Sequence, residues 1–404
     1  MRRWLATCAL AACASPVETS GRTQAVTNAT PDNGDPAVVG LVDQTDQLGC
    51  TASIIGPHTA ITAAHCIGTS ERKLRAFFGA DAALGGTFIA VSDARIHPLF
   101  DPGGHDIAML TLREEAPVTP LALETAAAET LDGTTIRVVG YGITGFGRSD
   151  EGMKREGTAR IAAVQAEELI TVPSPSLSCS GDSGGPALLP AGTIAGVVSR
   201  GDSMCDDHAV YSRVDVSRAD LIDPYIADTA PGTASVGERC LYEGHCDSGP
   251  CLQANDDLEL YFCSRACERD ADCPSAMTCA ADGCRYPEPS PGALGSSCDG
   301  DVECTSHVCR DQVCTRNCLQ EACPTDFECR GSGSSHYCFP VDSGCGCASG
   351  GGGSASLVVI GLVLFAGGVR RSSRSSSARG NCSSRTSRAR TTRRGSSSAS
   401  AISA

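Results

Sequence analysis

Three short strings carry the residue types that nucleophilic acyl transfer requires. His65 lies in Thr-Ala-Ala-His-Cys (62–66), Asp106 begins Asp-Ile-Ala-Met-Leu (106–110), and Ser183 lies in Gly-Asp-Ser-Gly-Gly-Pro (181–186). A serine hydroxyl becomes nucleophilic when an imidazole accepts its proton, a carboxylate orients that imidazole, and amide N–H groups stabilise the developing oxyanion. The sequence supplies each of these groups.

The residues of the three strings, and their order along the chain, resemble those of the trypsin/chymotrypsin family of serine proteases. The resemblance covers residues 26–228. Alone, a His beside a Cys is usually structural, and an Asp before an apolar strand usually caps a turn. The resemblance implies that Ser183 attacks the scissile carbonyl, His65 transfers the proton and Asp106 orients the imidazole. It also implies an oxyanion hole made by the backbone N–H groups of Gly181 and Ser183.

The same resemblance implies two disulfides and a substrate pocket. Cys50 would pair with Cys66 beside the catalytic His, and Cys179 with Cys205 beside the pocket. The residues expected to contact substrate are Leu177, Ser199, Gly201 and Ala209. Leu177 stands where trypsin has an Asp, and an apolar side chain cannot neutralise a substrate Lys or Arg. We therefore expect cleavage after small or medium apolar residues.

Activation in this family begins when a freed N-terminal Ile or Val folds inward and pairs with the Asp before the nucleophile. Here that Asp is Asp182, and Val26 begins a string that resembles the family's start, Val-Thr-Asn-Ala, with Ala29 in place of the usual Gly. Ala25 is not basic, so trypsin would not make the cut. A protease that prefers small residues is expected to release Val26 from a zymogen.

Short apolar segments separated by Gly, Pro, Asp and Asn run from Val38 to Val214, a pattern typical of an all-β sandwich or barrel. Together with the resemblance, this predicts two six-stranded antiparallel β-barrels. The predicted strands include Val38–Val42, Ala52–Ile55, Ile61–Ala63, Phe88–Val91, Ile107–Leu112, Ile136–Val139 and Ile194–Val198. A short closing helix is predicted within Ser217–Ile226, shortened or kinked by Pro224.

Composition limits the possible partners and the compartment. The net charge is −15, but nine arginines lie between Arg370 and Arg394, so residues 1–369 hold 23 basic and 47 acidic residues. Such an acidic body argues against nucleic-acid partners. Twenty-five cysteines indicate an oxidising compartment and export. We expect protein or peptide substrates, no cofactor, no metal and a monomeric chain.

A small-residue linker (229–236) precedes two cysteine-rich modules, 237–286 and 295–340, which are joined by a second linker (287–294). Each module holds eight cysteines with the first three at the same spacing, which indicates an internal duplication and four disulfides in each. Three interpretations stay open: a stapled spacer, a module that binds substrate or a cell surface, or a metal-binding module. His245, His307 and His336 are too scattered to favour a metal.

Both termini suggest export and a surface location. Residues 1–13 are typical of a signal peptide ending in a lipobox at Cys13, and 14–25 of a spacer or propeptide. Residues 341–353, an apolar segment (354–371) and an arginine-rich tail (372–404) together resemble the C-terminal sorting signal of myxobacterial surface proteins. Lipid attachment at Cys13, or at Cys345 or Cys347, is expected, with the protein at the cell surface, in the outer membrane or outside the cell.

Two function classes remain open at the level of sequence. The first is an active endopeptidase; the second is an inactive protease fold that serves as a scaffold while the cysteine-rich modules bind a ligand. The intact set of His65, Asp106, Ser183 and Gly181 favours the first, because a scaffold has no need to retain it.

Overall fold

Two barrels of short antiparallel strands position the three strings, and a series of disulfide-braced hairpins follows them. The computed structural model describes residues 26–67, 73–101, 103–306, 308–319, 322–332 and 335–341. The predicted signal peptide, lipobox Cys13, spacer, sorting signal with Cys345 and Cys347, apolar segment, arginine-rich tail and His307 lie outside these residues, apart from Val341 at the start of the sorting signal.

The first barrel has six antiparallel strands, closed in the order β2-β3-β4-β7-β6-β5. After β1 (Thr30–Pro31), the strands are β2 (Val38–Val42), β3 (Leu48–Ile54), β4 (Thr59–Thr62), β5 (Arg75–Phe78), β6 (Thr87–Ile96) and β7 (Ala108–Leu112). Every residue of β2 and β7 is buried. Closure pairs all strand edges and buries one apolar cluster that includes Ile54, Ile61 and Leu110.

The second barrel is also six-stranded, in the order β9-β10-β13-β12-β11-β8, and the β8–β9 pairing closes it. Its strands are β8 (Thr135–Gly140), β9 (Arg155–Val164), β10 (Glu168–Pro173), β11 (Pro186–Leu188), β12 (Ile194–Gly201) and β13 (Ala209–Arg213). The N-terminal β1 adds to the edge of β9. The expected all-β fold with two six-stranded barrels is confirmed.

The closing helix differs in detail from the prediction. A π-helical turn at Arg218–Ile222 leads into α1 (Asp223–Asp228), so the α-helical part begins beside Pro224. A proline is tolerated in the first helical turn, because the N–H groups there have no intrahelical acceptor. Tyr225 of α1 is fully buried, and its hydroxyl lies 2.7 Å from Thr111 Oγ1 in β7, which fixes the helix to the first barrel.

The cysteine-rich region consists of four antiparallel hairpins. They are formed by β14 (Cys251–Gln253) with β15 (Tyr261–Cys263), β16 (Thr278–Ala280) with β17 (Gly283–Arg285), β18 (Cys309–Arg310) with β19 (Val313–Cys314), and β20 (Phe327–Ser332) with β21 (Ser335–Pro340). Each hairpin belongs to one four-cysteine unit: unit 1 (240–263), unit 2 (267–284), unit 3 (298–314) and unit 4 (318–338).

All four units share one disulfide pattern, in which the first cysteine bonds the third and the second bonds the fourth. The bonds are Cys240–Cys251 and Cys246–Cys263, Cys267–Cys279 and Cys273–Cys284, Cys298–Cys309 and Cys304–Cys314, and Cys318–Cys329 and Cys323–Cys338. The third and fourth cysteines face each other across the hairpin in every unit. The duplication of eight cysteines is therefore a fourfold repeat of four.

So many disulfides are typical of an extracellular or secreted protein. Among the residues that the structure describes, no helix has both the length and the apolar character needed to cross a bilayer.

Candidate active site

His65 and Asp106 are brought together by the pairing of β4 with β7. Thr62 is the Cα partner of Ala108, so the residues just beyond this end of the ribbon are neighbours. His65 lies in the 3₁₀ turn that follows β4, and Asp106 lies just before β7. The Asp106 carboxylate is 2.7 Å from His65 Nδ1 and accepts a second hydrogen bond of 2.9 Å from the His65 backbone N–H. Two bonds to one residue fix both the backbone and the ring.

The environment of Asp106 keeps its carboxyl ionised. Burial opposes its charge, but hydrogen bonds from His65 and Ser199 outweigh that cost and lower the pKa of Asp106. Ser199 Oγ donates at 2.7 Å from β12, where a bulge between Val198 and Arg200 redirects the side chain. An ionised carboxylate only accepts hydrogen bonds, so His65 Nδ1 carries the proton and Nε2 is left as an acceptor, as a general base requires.

Ser183 lies where the second barrel meets the first. Its carbonyl accepts a hydrogen bond of 2.8 Å from the Thr51 N–H in β3, and Thr51 Oγ1 donates to the Gly181 carbonyl at 3.0 Å. The Cys66 sulfur lies 3.7 Å from His65 Nε2 and 3.6 Å from the Ser183 carbonyl oxygen. The imidazole and Ser183 are thus neighbours across one sulfur atom.

A hydrogen bond between Ser183 Oγ and His65 Nε2 is not among those formed by the described residues. Bonds between a nucleophile and its base are often long in unliganded enzymes and tighten when substrate binds.

Two backbone N–H groups at the nucleophile have no internal acceptor. Within the described part of the chain, neither the Gly181 nor the Ser183 N–H donates to a protein oxygen, whereas the neighbouring Asp182 N–H donates to Cys179 O at 3.0 Å. Gly181 has φ of +93°, and a Cβ there would lie 2.7 Å from Gly142 Cα. Only glycine fits this turn, which leaves its amide available to an oxyanion.

Asp182 is fully buried and contacts Val26, the residue predicted to become the N-terminus after activation. Its carboxylate accepts hydrogen bonds of 2.8 Å from the backbone N–H groups of Cys179 and Gly142, and another from the N–H of Val26. Burial raises the pKa of Asp182 to about 6, although these bonds and nearby Arg155 oppose the rise. Val26 is itself completely buried and has φ of +46°, a strained value for a β-branched residue.

The four residues expected to contact substrate divide into two groups. Leu177 and Ala209 are fully buried in one apolar cluster of the second barrel. Ser199 uses its side chain to bond Asp106, and Gly201, at the end of β12, is exposed. Arg200, between Ser199 and Gly201 in sequence, forms a bidentate ion pair with Glu168, with N–O distances of 2.6 and 3.0 Å. No carboxylate lies at the Leu177 position to attract a basic side chain.

Both disulfides implied for this domain are present, Cys50–Cys66 and Cys179–Cys205. The first joins β3 to the turn that carries His65, and the second joins the segment before Ser183 to the loop after β12. Each therefore braces one part of the site.

Sequence reasoning missed Thr51, which contacts both Gly181 and Ser183 and also accepts a 3.2 Å hydrogen bond from the Tyr141 N–H. Its position directly after Cys50 was the available signal. The sequence assigned Ser199 to substrate binding only, whereas its hydroxyl bonds Asp106. In the string Val-Gly-Tyr-Gly (139–142), a Cβ at Gly142 would lie 2.6 Å from Asp182 N, so only glycine allows this close approach.

Comparisons with known proteins find similar sequences for the part of the chain that forms the two barrels. Residues 25–222 match the sequence profile of the trypsin family. Trypsin iota of Drosophila melanogaster is 30% identical over 196 residues, covering 42% of this chain and 75% of the fly protein. Trypsin of Saccharopolyspora erythraea is 28% identical over 202 residues, 44% of this chain and 88% of that protein. Mast cell protease 2 of Ovis aries is 30% identical over 195 residues, 43% and 78% respectively.

Proposed function

Because this chain belongs to the trypsin family, we propose that it is an active serine endopeptidase whose triad is His65, Asp106 and Ser183. The observation that carries the proposal is the His65–Asp106 pair, with its 2.7 and 2.9 Å hydrogen bonds, beside a Ser183 loop that holds two unused amide donors.

The proposed reaction has two stages. Ser183 Oγ attacks the carbonyl carbon of the scissile bond while His65 Nε2 accepts its proton, and the Gly181 and Ser183 N–H groups stabilise the negative oxygen. His65 then protonates the leaving amine, the C–N bond breaks and an acyl-enzyme forms. Water attacks this ester with His65 again as the base, which releases the acid product and restores Ser183. Asp106 stabilises the imidazolium at both stages.

Specificity is proposed to favour small or medium apolar residues before the scissile bond. The support is the pair of buried apolar side chains, Leu177 and Ala209, at the positions that the family uses for the pocket floor. A substrate Lys or Arg placed there would lose hydration without gaining a counter-ion. Digestion of a peptide library is expected to give these cleavages, and cleavage mainly after Lys or Arg would contradict the assignment.

Activation is proposed to occur by a cut between Ala25 and Val26. The support is the burial of Val26 and the contact of its N–H with Asp182. A free ammonium at Val26 would give the buried carboxylate a counter-charge and remove the strained φ. N-terminal sequencing of the active form should find Val26, and full activity with a different first residue would refute this step.

Export, with one terminus held at a surface, is also proposed, on the composition of residues 1–13 and 341–404. Mass spectrometry of the mature protein would locate both ends and any lipid. An unprocessed Met1 together with an unmodified C-terminus would oppose it.

A fluorophosphonate probe tests catalysis directly, because it reacts only with an activated serine. The chain cleaved at Val26 should be labelled, and Ser183→Ala should abolish the label. Ser180→Ala is the matched control, since this exposed serine lies three residues away and should leave labelling intact. If the cleaved wild-type protein is not labelled, the inactive scaffold becomes the better description.

A further inference from the structure

Unit 1 packs against the first barrel at the ends of β4 and β7 that point away from the triad. His58 comes directly before β4, and Arg113 directly after β7. His65 and Asp106 lie at the opposite ends of these same two strands. The contacts of unit 1 with His58 and Arg113 therefore fall on the two strands that hold His65 and Asp106. Unit 1 also pairs Glu259 with Lys73, just before β5, at 2.8 Å.

Arg113 makes one of the contacts between the first barrel and unit 1. Its guanidinium carbon lies 3.8 Å from the centroid of the Tyr261 ring, in unit 1. Its terminal nitrogens donate to the carbonyls of Cys240 at 3.4 Å and Glu259 at 3.5 Å. Burial lowers the pKa of Arg113, and among the described residues it has no carboxylate in an ion pair. The aromatic face and two carbonyls of unit 1, together with the attraction of the Glu259 carboxylate, offset its lost hydration.

His58 makes the second contact. Its ring stacks on Tyr242 of unit 1, with centroids 3.9 Å apart and planes 12° from parallel. Nδ1 of the same ring lies 3.1 Å from the Leu112 carbonyl oxygen of β7. The Leu112 N–H in turn donates to the His58 carbonyl at 2.7 Å. Tyr242 is almost fully buried and donates to the Thr229 carbonyl at 2.8 Å. One side chain thus joins β4, β7 and unit 1.

Both aromatic anchors belong to one covalently braced body. Tyr242 lies between Cys240 and Cys246, and Tyr261 begins β15, which ends at Cys263. The Cys240–Cys251 and Cys246–Cys263 bonds connect these segments. Unit 1 therefore cannot release one anchor without straining the other.

We infer that unit 1 is a clamp that fixes β4 relative to β7 and thereby positions His65 against Asp106, with Arg113 and His58 as positioning residues. The inference rests on the proposed catalytic function. Strands of four and five residues are about 13–17 Å long, and their hydrogen-bonded register transmits a shift from one end to the other. A misplacement of about 1 Å at a catalytic group can cost about 100-fold in rate.

A double-mutant cycle in the full chain tests the clamp. Arg113→Ala and Tyr261→Ala should each lower kcat about tenfold with KM within about twofold, because positioning changes the reaction step and leaves the substrate cleft intact. The double variant should be no worse than the poorer single one, since both remove the same contact. Arg113→Lys keeps a cation over the ring and should retain most of kcat.

The matched control is Arg310→Ala. Arg310 lies over the Tyr337 ring at 5.4 Å, the same kind of contact placed in units 3 and 4. It should leave kcat and KM unchanged. Wild-type kcat in both Arg113→Ala and Tyr261→Ala, or effects that multiply in the double variant, would overturn the clamp.

A second readout separates the clamp from the proposed function. In a Ser183→Ala background, the low-field proton NMR signal of His65 Nδ1–H reports its bond to Asp106 whether or not the enzyme turns over. Arg113→Ala should shift or broaden that signal, and Arg113→Lys should restore it while Tm confirms folding. An unchanged signal in folded Arg113→Ala overturns the clamp, whereas absent labelling of wild-type protein overturns only the catalytic assignment.

Discussion

Asp106 connects two residues from different parts of the chain, His65 and Ser199. It receives two hydrogen bonds from His65 and one from Ser199, and these bonds outweigh the cost of burying its charge. Ser199 comes from the second barrel, whereas His65 and Asp106 come from the first. Through this carboxylate, both barrels contribute to the orientation of the imidazole.

Removing the Ser199 hydroxyl should weaken catalysis. A hydrogen bond to a charged group contributes about 1.5–3 kcal/mol, so we expect Ser199→Ala to lower kcat/KM by about tenfold or more. Steady-state kinetics on a peptide substrate measures this. Ser212→Ala is the control, because the buried Ser212 hydroxyl has no hydrogen-bond partner in the described structure. Equal rates for Ser199→Ala and wild type would contradict the role.

Asp182 predicts a pH dependence that differs between uncleaved and cleaved chains. In the uncleaved chain, burial raises its pKa from 3.8 to about 6. A carboxyl group whose pKa is raised by folding contributes its full stabilisation below its pKa in the unfolded chain. That contribution is lost as the pH rises through about 6. The free energy of unfolding of the uncleaved chain should therefore fall between pH 4 and 7.

In the cleaved chain, the Val26 ammonium should keep Asp182 ionised and remove this fall. Urea unfolding of both forms, in a Ser183→Ala background, compares them. Identical pH profiles would mean that Val26 does not reach Asp182 after cleavage.

At the scale of elements, the Cys50–Cys66 disulfide braces the turn that carries His65. The two cysteines are 16 residues apart, and closing a loop of that length stabilises a protein by about 3 kcal/mol. Cys50→Ala with Cys66→Ala should lower Tm and also kcat, because the His65 turn loses its link to β3. Circular dichroism melts and kinetics test this. Removal of Cys318–Cys329 in unit 4 is the control and should leave kcat unchanged.

The strands near the site could be predicted because their apolar residues are local signals. Val38–Val42 was predicted at its true bounds, and Ile107–Leu112 within one residue. The closing helix was harder to predict. It begins with a π-helical turn and has Pro224 in the first turn of α1. It is held by packing of Tyr225 against the first barrel, which is distant in sequence. The bulge that turns Ser199 toward Asp106 depends on contacts between strands, and no pattern in β12 indicates it.

At the scale of the whole molecule, the four units repeat one disulfide pattern with unequal loops. The paired cysteines are 11 and 17 residues apart in unit 1 but 12 and 11 in the adjacent unit 2. This variation hid the fourfold repeat, and only the closer match between alternate units was visible in sequence. The clamp was equally hidden, because Arg113, Tyr242 and Tyr261 become informative only once they are seen in contact.

Units in a linear repeat depend mainly on their neighbours, so the effect of losing a disulfide should depend on its position. Cys318→Ser with Cys329→Ser should accelerate amide hydrogen exchange within 318–338 and leave the first barrel unchanged. Cys240→Ser with Cys251→Ser should accelerate exchange at the His58 and Arg113 ends of β4 and β7. Hydrogen-exchange mass spectrometry distinguishes these outcomes, and a uniform response to both pairs would contradict the arrangement.

The interlocked order of the disulfides has a consequence for a molecule exposed to proteases. A backbone nick anywhere between the first and fourth cysteine of a unit is spanned by at least one sulfur bridge, so the two fragments stay attached. Severance is possible only in the segments between units, and 285–297 is the longest of these. Each unit can thus accumulate cuts while it remains one covalent piece, and only a reducing agent would release the fragments of a nicked unit.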